Sequence, residues 1–382
     1  MYKNNIFENM PNLLYGDGRL AQLGDLLHQL SLSKVLIVTD PGIVAAGIVE
    51  RVVESLSKAH IRHVIFDEVE PNPSLQTAEL IAVVYQEENC EGIVAVGGGS
   101  AMDAAKGGGL FITNDGQLYD FADGAEIPNS LPPLVAIPTT VGTGSEVTKF
   151  AVLTDYDACQ KLMFTGDVLI PTVAILDPQL VRSLPSHLVA ATGMDALTHA
   201  IEAMLSVLAT PESDAFAHEA IGLMTHYLPT AVHADCNSEE GQTARGQMLY
   251  ASTLAALALN KALVGLVHGM SHPLTSYAGI PHGLANALLL PDVLIFNAPA
   301  CAPALARVAH AMGKGSQPEA AIYAVQQLNT TLDLPSTLSE LGVTEQLIPY
   351  MAQEAFESGN AQIINPRKPT FEEVVDLYQQ LL

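Results

Sequence analysis

Asp195 and His199 stand four residues apart in Gly193-Met-Asp-Ala-Leu-Thr-His-Ala-Ile-Glu202. On a helix that spacing puts both side chains on one face, a turn apart, so both reach one ion. His268 and His272 repeat the spacing in Gly265-Leu-Val-His-Gly-Met-Ser-His-Pro273, and Pro281-His282-Gly283 supplies another imidazole after a short turn. A single histidine in an apolar helix is more often a packed core or surface residue than a ligand. Here the later His-bearing segments are unusually apolar and glycine-rich, with few other charges, and have little reason to hold imidazoles that are not used. Neutral imidazoles with one carboxylate and no thiolate suit a divalent transition metal. The other histidines stand in polar or irregular contexts and read as surface or packing residues.

A second constellation is Val96-Gly97-Gly98-Gly99-Ser100, directly after a strand-like run and before a helical one. Three glycines let the backbone turn sharply and approach a ligand without Cβ clashes, and the free N–H groups of the following helix form a pyrophosphate site. The segment departs from GxGxxG because residue 102 is Met, and read alone it is either that site or a tight strand–helix turn. Asp40 closes an earlier strand. Its carboxylate can accept both ribose hydroxyls of an adenosine and repel a 2′-phosphate, or cap the turn at Asp40-Pro41-Gly42; turn preferences favour the cap. Pro138-Thr-Thr-Val-Gly-Thr-Gly-Ser-Glu146 is either a second polar wall around a nucleotide or a Thr/Ser-rich loop leading to a capped helix.

These residues need elements to hold them. Lys34–Thr39, Arg62–Phe66, Gly92–Val96, Leu134–Ile137 and Val173–Leu176 read as strands, with helices over Ile43–Ala59, Ser74–Glu88 and Ala101–Ile112 between them. Strands apolar on both faces and alternating with helices predict a parallel sheet covered on both sides. Past Leu184 the texture becomes helical, with Ser186–Ser206, Glu212–Tyr227 and Glu240–Asn260 as the long patterns. The expected division is an α/β domain over residues 1–184 and an all-α domain over 185–382, with a ligand cleft between them.

Composition narrows the function classes. The 382 residues carry 16 Lys+Arg against 41 Asp+Glu, a net charge of −25 that disfavours nucleic acid and anionic membrane surfaces as partners. With 49% hydrophobic and 15% charged residues, a large core is available and disorder is excluded. The greasiest stretch, Leu254–Val267, is interrupted by Asn260 and Lys261 and falls short of the about 20 apolar residues a membrane span needs. Met1–Asn9 has no apolar run of a secretory signal. Cys90, Cys159, Cys236 and Cys301 are widely spaced with no CxxC pair, which suits a reducing cytoplasm.

Taken together, Gly97–Lys106, Ile137–Glu146, Ala190–Glu202, His268–Pro273, Pro281–Gly283 and Asn365-Pro-Arg367 resemble the motifs of the iron-containing (group III) alcohol dehydrogenases, a family that includes lactaldehyde reductase and 1,3-propanediol dehydrogenase. The resemblance spans nearly the whole chain. It implies an α/β, Rossmann-like N-terminal domain with a parallel sheet and an all-α metal-binding C-terminal domain, the dehydroquinate synthase-like/iron-containing alcohol dehydrogenase fold. It implies Asp195, His199, His268 and His282 as ligands of Fe²⁺, with Zn²⁺ as the competing ion because it binds such sites more tightly. It places His272 beside the metal as a proton relay, acting with the ligands Asp195 and His268. For NAD it implies Asp40, Asn72, Gly97, Gly98, Gly99, Ser100, Asp103, Thr139, Thr140, Thr143 and Lys161.

The implied activity is hydride transfer between NAD(H) and small primary alcohols or diols and their aldehydes, in a cytoplasmic homodimer or higher homo-oligomer. Other readings are an enzyme of the same scaffold, glycerol dehydrogenase-like with zinc or dehydroquinate synthase-like, and a non-catalytic metal- or nucleotide-binding protein. The lyase would need more basic residues for an anionic substrate than 16 Lys+Arg arrange easily. Gly359-Asn-Ala-Gln-Ile-Ile364 departs from the cysteine and hydroxyl residues many members carry there, which bears on substrate choice.

Overall fold

The computed structural model describes residues 10–122, 124–158 and 160–382; the reading of Met1–Asn9 and of Cys159 concerns residues outside that set. The chain forms two compact units, one of residues up to Thr139 with Ser145–Leu180, the other of Thr140–Gly144 with Val181–Leu382.

The first unit runs β1 (Asn12–Tyr15), α1 (Leu23–Gln29), β2 (Lys34–Val38), α2 (Pro41–Ala45), α3 (Ile48–Lys58), β3 (Arg62–Phe66), α4 (Leu75–Glu87), β4 (Gly92–Gly97), α5 (Gly99–Thr113), β5 (Leu134–Pro138), β6 (Phe150–Asp155), β7 (Gln160–Thr165) and β8 (Val173–Leu176). Six strands form one sheet in the order β1-β8-β5-β4-β2-β3, every neighbouring pair parallel. The period of two along each strand divides its side chains between two cores. Val35, Ile37, Val94, Val96, Val135 and Ile137 pack with α1 and α3 on one face. Leu36, Val38, Ile93, Ala95, Leu134 and Ala136 pack with α4 and α5 on the other.

The helices after β2 and β4 therefore leave toward opposite faces of the sheet although the two strands are neighbours. The crevice at the carboxyl ends of such a strand pair is where open α/β sheets bind ligands. Asp40 follows β2 and Gly97 ends β4.

The structure differs locally from the sequence reading, which had no counterpart for β1 and α1. The helix expected over Ile43–Ala59 is two helices, because Gly47 sits at φ +71° between them in the left-handed region that favours glycine. The loop ending at Glu146 leads not to a helix but to the antiparallel hairpin β6–β7, which closes a third apolar cluster around Leu153, Leu162 and Phe164.

The second unit is α6 (Ser186–Leu205), α7 (Pro211–His233), α8 (Glu239–Ala262), α9 (Leu266–Ala278), α10 (His282–Ala311), α11 (Pro318–Thr331), α12 (Ile348–Glu357) and α13 (Phe371–Gln380). Helix starts follow side-chain chemistry: Thr210 with Ser213 and Thr370 with Glu373 form capping boxes, and the Ser238 side chain accepts from Gly241 N. α9 leaves α8 at 108°. Among the described residues α10 is long and apolar enough by length and composition to cross a membrane, and α8 with α9, which between them span Leu254–Val267, are so only taken together as a bent pair; over half of the apolar window of α10 is buried within the protein.

Candidate metal centre and nucleotide site

α6 carries Asp195 and His199, α9 carries His268 and His272, and His282 opens α10. The Nε2 atoms of His199, His268 and His282 each lie 3.7 Å from one oxygen, Asp195 Oδ1. An ion about 2.1 Å from each donor in a tetrahedron would space the donors roughly 3.4 Å apart, close to the 3.7 Å that separates each imidazole nitrogen from Asp195 Oδ1. The ligand atoms of Asp195, His268 and His282 all lie within 4.8 Å of one another; His199 stands outside this tightest trio. Asp195, His199 and His268 are buried and His282 is partly open, its side chain 30% exposed.

The electrostatics follow from that burial. Burial pushes His199 down to about 4 against the pull of Asp195, which keeps its imidazole neutral near pH 7. Burial also works against charge on His268, but hydrogen bonding to Asp195 and Glu202 outweighs it and raises the group to about 9. Burial would raise Asp195; the imidazoles of His199, His268 and His282 overcome it and hold the carboxyl well below the usual carboxylate range.

Two residues at this focus carry no role in the sequence reading. Asn286, fully buried, donates from Nδ2 to Asp195 Oδ1 at 2.7 Å and stands 3.2 and 3.3 Å from the Nε2 atoms of His268 and His282. Its Oδ1 is buried without a hydrogen-bond partner. Glu202 faces His268 Nδ1 at 2.6 Å and accepts from Val267 N at 2.7 Å. Helical spacing was the available signal: Glu202 lies seven residues after Asp195 and Asn286 four after His282, each on the ligand's face. His272 joins the cluster by ring contact, its centroid 5.2 Å from that of His282 and 6.4 Å from that of His268.

In the first unit the glycine turn has the geometry of an anion site. Gly97 adopts φ +153°, and a Cβ there would fall 2.7 Å from Ala101 Cβ and 3.3 Å from Asp40 Oδ2. Gly98 is the N-cap of α5 and no side chain caps the helix, so its first N–H groups are left for a ligand. Ser100 is half-buried in the first turn of α5. Asp40 Oδ1 caps α2 by accepting from Gly42 N and Ile43 N, as turn preferences favour, while Oδ2 lies on the side of Gly97. The hydroxyl of Thr139 is buried without a partner, as a group awaiting a ligand would be.

The remaining expected nucleotide residues separate. Asn72 Oδ1 accepts from Lys161 Nζ at 3.3 Å, joining those two on the exposed side of the hairpin. Asp103 is engaged within the protein, accepting from Ser145 Oγ at 2.8 Å and Val152 N at 3.1 Å. Its neighbour Lys106 is fully buried and donates to Ser145 Oγ, Thr148 O, Thr148 Oγ1 and Phe150 O. Thr140 and Thr143 belong with Thr140–Gly144 to the second unit.

Comparison with known proteins agrees with both halves. The pattern of the iron-containing alcohol dehydrogenases matches residues 11–178, and that of the Fe-containing alcohol dehydrogenase family C-terminal region matches 189–382. The chain is 40% identical to the 1,3-propanediol dehydrogenase of Citrobacter freundii, covering 97% of each protein. It is 37% identical to the NAD-dependent methanol dehydrogenase of Bacillus methanolicus, covering 97% of this chain and 98% of that one. A solved structure of 1,3-propanediol oxidoreductase superposes with a TM-score of 0.94 at 40% identity, covering 99% of this chain and all of the other. The sheet, the helical unit and the matches along both together establish that this chain belongs to the iron-containing alcohol dehydrogenase family and is an oxidoreductase of that family.

Proposed function

We propose that this protein interconverts small primary alcohols or diols and their aldehydes with NAD(H), using Fe²⁺ held by Asp195, His199, His268 and His282, with Zn²⁺ as the competing ion. The observation that carries the reading is the convergence of three imidazole nitrogens at 3.7 Å on one carboxylate oxygen. A divalent cation held there would supply Lewis acidity toward an alcohol or carbonyl oxygen, and NAD(H) would supply the hydride chemistry.

The chain's own residues do the rest. Asp195 and the three imidazoles fix the position of positive charge, and burial of all but His282 keeps water from diluting it. His272, beside His282, passes the hydroxyl proton to solvent at one ring nitrogen, since imidazole exchanges protons near neutral pH. The open N–H groups at the start of α5 hold a pyrophosphate, with Ser100 and Thr139 beside it, and Asp40 Oδ2 takes the adenosine ribose and disfavours a 2′-phosphate. Asn72 and Lys161 bind the nicotinamide ribose side, with Thr140 and Thr143 completing the nucleotide contacts. Asp103 supports them indirectly by fixing Ser145.

The names of the relatives favour a short diol or alcohol as substrate. Unpaired Cys90, Cys236 and Cys301 suit a reducing cytoplasm, and a homodimer or larger homo-oligomer is the assembly we expect. The test is a panel of short aldehydes with NADH on anaerobically iron-loaded protein. Steady NADH consumption with at least one short aldehyde is expected; none with any of them would overturn the assignment.

A further inference from the structure

We propose that Glu202 is the positioning residue of the metal centre, holding His268 in the single tautomer whose Nε2 lone pair faces Asp195. The inference rests on reading the cluster as a metal site. Glu202 is 3% exposed, so its carboxylate has no water to satisfy it and must be paired within the protein. It is paired almost entirely with one segment. Oε1 accepts from Val267 N at 2.7 Å, while Oε2 lies 2.6 Å from His268 Nδ1 and 3.4 Å from His268 N.

A neutral imidazole has one donor and one acceptor nitrogen. A carboxylate oxygen 2.6 Å from Nδ1 is an acceptor for a proton there, so a ring that offers Nε2 to a cation keeps its one N–H on Nδ1, with Nε2 3.7 Å from Asp195 Oδ1. Because the same carboxylate also grips backbone N–H groups at the start of α9, it fixes where the helix begins as well as how the ring is turned. A negative group is favoured at a helix N-terminus, and α9 has no cap of its own, its N-cap being Gly265. A side chain at Gly265 would not fit: a Cβ there would lie 3.1 Å from Glu202 Oε1 and 2.8 Å from Asn365 Oδ1. Two buried carboxylates, Asp195 and Glu202, also balance the charge of one dication.

Asn365 provides the control. Its Oδ1 accepts from Leu266 N at 3.2 Å, capping the same helix end without touching a histidine. If Glu202 only closed the helix, the two positions would behave alike.

The test compares Glu202→Gln with Asn365→Ala in the full chain, reading the metal-free melting temperature, the Co²⁺ affinity by chelator competition and the visible absorption of bound Co²⁺. In Glu202→Gln the amide N–H₂ turns toward Nδ1 and drives the proton to Nε2, against the cation. A Co²⁺ affinity lower by about 10–100-fold with an altered absorption band is expected. Asn365→Ala should lower the melting temperature and keep wild-type affinity. Wild-type affinity and absorption in Glu202→Gln would overturn the proposal while leaving the metal reading intact. Absence of Co²⁺ binding in wild type would overturn both. Should Glu202→Gln not fold, Glu202→Asp replaces it: a carboxylate one methylene short should weaken Co²⁺ binding, and wild-type affinity there would equally overturn the proposal.

Discussion

His199 and His268 stack with ring centroids 4.7 Å apart and 20° between their planes, each presenting Nε2 at 3.7 Å from Asp195 Oδ1. Two stacked, buried imidazoles aimed at one carboxylate oxygen are an arrangement a cation stabilises and its removal undermines. Adding a divalent ion to metal-free protein should therefore raise the melting temperature in a concentration-dependent way. At a hundredfold excess over the dissociation constant the gain is about 2.7 kcal/mol. Calorimetry with and without chelator measures it, and a melting temperature indifferent to the ion would contradict the site.

The glycine turn predicts a separable loss. Gly97→Val places a β-branched side chain at φ +153°, against Ala101 and the Asp40 carboxylate. The expected result is a strain cost of about 1–3 kcal/mol and at least a tenfold weaker NADH affinity by fluorescence titration, with metal content unchanged. Unaltered NADH binding would remove the turn from the nucleotide site.

Asp40→Asn keeps an oxygen to accept from Gly42 N and Ile43 N, so the α2 cap survives, but it removes the charge beside Gly97. The ratio of kcat/KM for NADH over NADPH should fall by about tenfold, on the order of 1.4 kcal/mol of discrimination, with little change in melting temperature. An unchanged ratio would leave Asp40 as a helix cap only.

Lys106→Met strips four hydrogen bonds from the Ser145–Phe150 segment and leaves the Asp103 carboxylate without its buried cation. A destabilisation of about 3–5 kcal/mol at neutral pH is expected from denaturant unfolding. Burial, opposed by Asp103 and Glu146, pulls the Lys106 ammonium from 10.5 to about 8. Between those values the unfolded chain holds a proton that the folded one has released, so the wild type gains stability with rising pH. The gap between wild type and Lys106→Met should widen from pH 8 to 10.5; a constant gap would contradict the assignment.

The parts of this architecture legible in sequence were those with a strong local signature. The four-residue spacing of Asp195 and His199 and the His268 and His282 segments foretell the cluster that the structure assembles, and the three glycines foretell a turn between a strand and a helix. The parallel sheet followed from strands apolar on both faces. Glu202 and Asn286 escaped because a lone polar residue on an apolar helix acquires meaning only when another helix brings a partner to it. The hairpin Phe150–Thr165 escaped because its strands are short, with Asp155, Gln160 and Lys161 masking their alternation, and Gly47 because a single glycine in a helical pattern does not announce a break.

Metal analysis of anaerobically iron-loaded protein, wild type beside His268→Ala and freed of unbound ion, tests the metal centre most directly. The four-ligand site predicts about one iron per wild-type chain and less than about a tenth of that in the variant, with NADH-dependent turnover lost in parallel. Full iron content and full turnover in His268→Ala would contradict it.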